Sequence, residues 1–152
     1  MRAYFLTNMY LSSIQNGIQP AHCLGNMFVK YRNTAINEMN PQDKRDSLYD
    51  WAENHKTMIV LNGGYSSVIR DLCLFLSDDQ NPYPWDYFCE SEEALDKALT
   101  CAGIVLPERI YEKIKDVSNY NELVFNEILF DEGFTPWESE LIFRLSAFGL
   151  AR

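Results

Sequence analysis

Long apolar runs are missing from this 152-residue sequence. Its most apolar stretches, Val68 to Leu76 and Cys101 to Leu106, fall far short of the roughly 20 residues that a membrane-crossing helix needs, so no transmembrane helix is expected. The amino end, Met1 to Leu6, carries one positive charge, but its apolar run stops at Asn8 and no small-residue cleavage site follows. A signal peptide is not expected, and the protein should stay in the cytoplasm. Basic charge is scarce: 13 Lys and Arg stand against 22 Asp and Glu, a formal net charge of −9. That excess argues against broad phosphate-backbone binding, which depends on Lys and Arg displacing counterions. Cysteine pairing motifs are absent as well. Cys23, Cys73, Cys89 and Cys101 are scattered, with no CxxC pair and no His at zinc-finger spacing, which excludes a structural zinc site; Cys73 and Cys101 sit in apolar runs and should pack as small hydrophobes in a reducing compartment. There is no Gly-x-Ser-x-Gly elbow, no Walker loop, no Gly-x-Gly-x-x-Gly fingerprint, and no internal repeat, low-complexity tract or flexible linker.

What is present is core material. A composition 47% hydrophobic and 14% aromatic suffices to bury one domain of this length. Ala3 to Tyr10 reads as a buried first strand. Turn formers from Ser12 lead to Pro20, which suits the first turn of a helix; Ala21, Leu24, Phe28, Tyr31 and Ala35 then recur at helical spacing, predicting a helix from about Pro20 to Glu38 that Pro41 ends. Asp46 is placed to cap a short helix, Ser47 to Asn54, with Trp51 wedged into the core. Thr57 to Leu61 is a strand before the Asn62-Gly63-Gly64 turn, and Ser66 or Ser67 opens a second amphipathic helix that stops near Asp78. Asp86 to Glu90 reads as an edge strand, Ser91 to Lys97 as an acidic connection, and Leu99 to Leu106 as a strand stopped by Pro107. Helical stretches follow around Arg109 to Lys115, Leu123 to Phe130 and Trp137 to Phe148. The predicted fold class is therefore α/β: a small mixed four-stranded sheet covered by helices, because each crossover helix must bury its apolar face.

Few residues stand out for chemistry. His22 falls in the first turn of the predicted first helix, just past a strand end, where backbone N–H groups favour anions; a packing or capping role is the alternative. His55 precedes a strand and reads as an exposed loop residue. Glu90 and Glu92 are close enough in sequence for acid–base work, though among so many carboxylates they also read as solvated surface. Basic residues Lys30, Arg32, Lys44 and Arg45 gather in one third of the chain. Asp78, Asp79, Asp86, Glu90, Glu92, Glu93 and Asp96 gather in another, either as a solvated face or as a docking surface for a basic partner.

Gly17-Ile18-Gln19-Pro20-Ala21-His22, after a first strand, resembles the Ala-Gln-x-x-His segment of type II peptidyl-tRNA hydrolases. Leu48-Tyr49-Asp50-Trp51 followed by Lys56 to Leu61 resembles that family's tryptophan-bearing helix and second strand. Phe88-Cys89-Glu90 and Leu99 to Pro107 resemble its final strand pair, including the threonine that opens the last strand. The resemblance covers residues 3 to 107. Glu138 to Arg152 looks like the extension of divergent, often phage-borne, members, which divides the chain into a hydrolase-like α/β part (1–107) and a helical carboxyl-terminal extension (108–152) packed on it. It implies hydrolysis of the ester joining peptide to tRNA, with no obligatory metal and no cofactor, and carries Gln19, His22 and Thr100 over as site residues. Two departures are visible: the family's Gly-Lys pair corresponds to Ile14-Gln15, and its Asp-Ala-Gly turn to the region Glu90-Ser91-Glu92. In the enzyme reading His22 or Glu90 positions a water while Thr100 and Gln19 donate hydrogen bonds. The net charge weighs against tRNA as a partner. A non-catalytic, phage-type protein is the other reading, gripping a protein of the host cytoplasm through Asp78, Asp79, Tyr83, Trp85, Asp86 and Tyr87; the aromatic content also leaves room for a homodimer face.

Overall fold

The computed structural model describes residues 1–33 and 35–151. A four-stranded mixed sheet lies between two layers of helices. Its strands are β1 (Arg2–Thr7), β2 (Met58–Asn62), β3 (Trp85–Cys89) and β4 (Leu99–Leu106), in the order β2-β1-β4-β3. β1 and β2 are parallel, and β4 runs antiparallel to both β1 and β3. The carboxyl ends of β1, β2 and β3 therefore share one rim of the sheet, where β4 begins.

Strand alternation sorts the core into two clusters. Ala3 and Phe5 of β1 and Cys101 and Val105 of β4 face α1 (Ser13–Lys30) and α2 (Pro41–Asp50), packing against Cys23, Met27, Tyr31, Leu48 and Trp51. Tyr4, Leu6, Ala102, Ile104 and Leu106 face the other way, onto α3 (Ser66–Leu76). After the short turn α4 (Glu92–Leu95), the chain adds α5 (Glu108–Asp116), α6 (Glu122–Asp131) and α7 (Pro136–Ser146) to that same face; Ile110, Phe125, Leu129, Trp137, Leu141 and Leu145 join the α3-side core. Beyond α7 the chain returns to the sheet: Asn62 N donates to Gly149 O and Ala151 N to Val60 O, so the tail pairs with the free edge of β2. Among the described residues no helix is long and apolar enough to cross a membrane.

The first helix departs from expectation. It runs over Ser13–Lys30, with Pro20 inside it, because Ser12 and Gln15 form a reciprocal capping box: the Ser12 hydroxyl accepts from Gln15 N while the Gln15 side chain accepts from Ser12 N. It ends eight residues before the expected Glu38. Ala35 is exposed, and Glu38 instead takes Lys30 and Lys44 as ion partners. Pro41 begins α2 rather than ending α1, for the same reason that proline is tolerated at a helix start: its missing N–H has no partner there. Asp46, expected as a cap, lies inside α2 and accepts from Gln42. Trp51 is buried as expected, with its indole N–H on Thr57 O.

Gly103 is a packing requirement. A Cβ there would lie 2.6 Å from Phe5 ring atoms and 2.8 Å from Met27 Cε, in the α1-side core. Gly103→Ala is expected to cost about 1–3 kcal/mol through overpacking, read as a lower urea midpoint; an unchanged midpoint would mean that Phe5 has room to yield.

Candidate active site

Three polar side chains from distant parts of the chain meet at the rim where β1, β2 and β3 end. Thr100 Oγ1 donates to Gln19 Oε1 at 2.9 Å, and Gln19 Nε2 donates to Glu90 Oε1 at 2.5 Å. The partners are 81 and 71 residues apart in sequence. Gln19 and Thr100 are each only 2% exposed, whereas Glu90 is half-buried. Gln19 thus works as a fixed relay: its carbonyl is held by the hydroxyl, which orients its amide onto the carboxylate and leaves the second oxygen of Glu90 free of that bond.

A β-bulge makes this arrangement. Phe88 pairs with Cys101 and Cys89 with Leu99, so Thr100 is the extra residue on β4. Without it, strict alternation would send Thr100 to the α3 face with Ala102; the bulge instead turns it toward α1, beside Cys101. The start of β4 is held from below. Asn8 N donates to Thr100 O, Asn8 Nδ2 donates to Ser66 Oγ, and Ser66 Oγ donates to Leu99 O. Asn8 and Ser66 have no distinguishing sequence signal beyond ending a strand and opening a helix.

His22 lies elsewhere than expected. Because α1 starts at Ser13, His22 is in its third turn, exposed, away from any helix N-terminus. The anion-holding role predicted for it loses its basis. Its ring stacks on Phe88, with centroids 4.6 Å apart and planes at 19°, which places it one turn beyond Gln19 and next to the strand that carries Glu90. Phe88 is the contact that sequence spacing did not single out in this role.

The position matched to the family lysine is neutral here in structure too. Ile14 is exposed, and the Gln15 amide oxygen is taken by the cap of α1. Beside the cluster, a hollow of about 180 Å³ is lined by Thr7, Asn8, Asn16, Asn62 and the tail residues Leu150 and Ala151. Asn16 lies one turn before Gln19 on α1. Among the described residues no three His, Cys, Asp or Glu side chains converge as a metal site.

The expected docking surface is only partly a surface. Asp78, Asp79 and Tyr87 are exposed and Asp86 is half-buried, but Tyr83 and Trp85 are core residues. Tyr83 packs beside Trp137 and donates its hydroxyl to Glu138; Trp85 faces the α3-side cluster with Lys30 Nζ 4.4 Å from its ring centre. Both aromatics follow Pro residues in a segment that crosses under α7 into β3, so their apolar rings are enclosed rather than displayed. Burial raises the Asp86 carboxyl above its ordinary range, against the opposing hydrogen bond from Tyr87 N and the charge of Lys30.

A scan against protein-family models and a search of curated proteins find no match to the chain.

Proposed function

We propose that the chain is a divergent peptidyl-tRNA hydrolase-like protein whose reaction centre is the Thr100–Gln19–Glu90 cluster. One observation carries the reading: Thr100 donates to Gln19, the two having been matched separately to family motifs, and Gln19 in turn donates to Glu90, which opens the stretch standing in for the family's acidic turn. In this reading Glu90 is the general base. Its free oxygen takes a proton from a water, whose oxygen attacks the ester carbonyl; the carbon–oxygen bond to the terminal ribose then breaks, and the ribose oxygen leaves with a proton. Gln19 and Thr100 are positioning residues that hold the carboxylate in one orientation. In this reading His22, one turn along and stacked on Phe88, donates the leaving-group proton. The missing lysine and the net charge of −9 predict weak, steeply salt-dependent substrate binding.

The test is release of labelled peptide from purified peptidyl-tRNA at low salt. Turnover is expected above background, and Glu90→Gln and Thr100→Val should each lower kcat by at least about tenfold with thermal unfolding unchanged within a few degrees. No turnover together with no tRNA binding would overturn the reading.

A further inference from the structure

A concavity of about 930 Å³ lies between α6 and α7, lined by Leu123, Phe130, Phe134 and Phe143 among other residues. α6 is apolar on more than one side. Phe125 and Leu129 anchor it in the core, while Leu123 and Phe130, seven residues apart and hence on one face, are 76% and 80% exposed along the groove. A surface helix ordinarily shows a single apolar stripe with polar residues opposite, so a second exposed stripe marks a face built to be covered.

Charge says what covers it. The groove is walled by Glu122, Glu127, Asp131 and Glu140, and no Lys or Arg lines it among the described residues. Of these acids Glu140 is paired, with Arg144 at 2.7 Å. We propose that this groove docks a basic amphipathic helix of a partner protein, whose apolar stripe fills the space between Leu123 and Phe143 while flanking lysines or arginines meet Glu122, Glu127 and Asp131. A second copy of this chain is the poorer occupant, because it brings a net charge of −9 to an acidic groove. An anionic lipid surface is repelled for the same reason. α6 is ten residues long, so the groove matches a helix of about 15 Å, three turns. The proposal does not depend on hydrolysis and holds for either role of the rim.

The probe is a synthetic peptide of roughly 14 residues with leucines at helical spacing and lysines elsewhere, set against a scrambled peptide of the same composition. Titration calorimetry with the full chain is expected to show the patterned peptide binding at least about tenfold tighter than the scrambled one. Leu123→Ser and Phe130→Ser, exposed positions whose exchange alters neither net charge nor core, should each weaken it by about tenfold, and Glu127→Gln should flatten its salt dependence. Equal binding of the two peptides would show attraction by net charge alone and overturn the proposal. So would affinity unchanged by both serine substitutions, or sedimentation showing a dimer that Phe130→Ser dissociates.

Discussion

Glu138→Ala is expected to lower the stability of the protein by about 3–5 kcal/mol, the effect of taking a carboxylate out of a buried, fully used position. Three groups donate to that side chain. Oε1 accepts from Tyr83 Oη at 2.5 Å; Oε2 accepts from Arg109 Nη2 at 2.8 Å and from Thr135 N at 2.9 Å, while Glu138 N donates to Thr135 Oγ1 in return. One residue therefore caps α7, ties it to α5 and fixes the segment that leads into β3. Alanine would leave the buried Tyr83 hydroxyl without an acceptor and remove one half of the capping box. Burial raises the Tyr83 hydroxyl well above its ordinary pKa, and in the wild type the hydrogen bond to Glu138 and its negative charge raise it further. Urea unfolding of Glu138→Ala, Tyr83→Phe and the double variant would separate the terms: Tyr83→Phe alone should cost about 1 kcal/mol, and the double variant clearly less than the sum. Strict additivity would show that the two side chains act independently and that α7 holds by apolar packing alone.

The second large effect centres on Glu38. Its carboxylate bridges Lys30 at 2.6 Å and Lys44 at 2.7 Å and accepts from Tyr31 Oη, and Lys44 is almost wholly buried. Burial by itself would raise the Glu38 carboxyl, but the hydrogen bonds and charges of Lys30 and Lys44 outweigh it and hold it below the usual carboxylate range. A carboxyl lowered by folding contributes stability that is present above its unfolded pKa, near 4.3, and is lost as pH falls through the folded value. Glu38→Gln is therefore expected to cost about 2–4 kcal/mol at neutral pH by stranding the Lys44 ammonium, with the gap between wild type and variant closing below about pH 4. Thermal unfolding followed from pH 7 to pH 3 checks this; a gap independent of pH would mean that Glu38 acts through shape rather than charge. The network bears on the rim as well. Lys30 Nζ donates to Trp85 O, and Trp85 N donates to Tyr31 Oη, at the first residue of β3, which leads to Glu90 just beyond its far end.

Much of the architecture is legible in the amino-acid order because apolar spacing reports burial directly. Leu99 to Leu106 reads as a strand and is one, buried along its whole length; α3 and the helices after Pro107 lie within a few residues of where their spacing puts them. The first helix was harder. Its Ser12-x-x-Gln15 cap is a readable signal, but Pro20 competes with it as a start, and only the packing of Cys23 and Met27 on the sheet shows that the helix continues through the proline. Tyr31, the C-cap of α1, still joins Met27 in the core, whereas Ala35 continues the helical spacing by coincidence, since it lies beyond the helix and is exposed. Tyr83 and Trp85 illustrate the converse: flanked by acids and prolines they read as surface, yet α7 and α1, distant in sequence, close over them.

By itself, then, the sequence determined an α/β domain with two amphipathic layers, the absence of a long apolar helix, and a surplus of negative charge, because composition and period are local properties of the chain. Whether Thr100 reaches Gln19 was decided by one extra residue in β4, since a bulge inverts the face that alternation assigns. Whether Glu90 joins them depended on where β3 ends relative to α1, a matter of register between elements some 70 residues apart. The open apolar face of α6 was equally a tertiary outcome: its sequence carries apolar residues on more than one side, and only the placement of α7 determined which of them were buried and which stayed exposed.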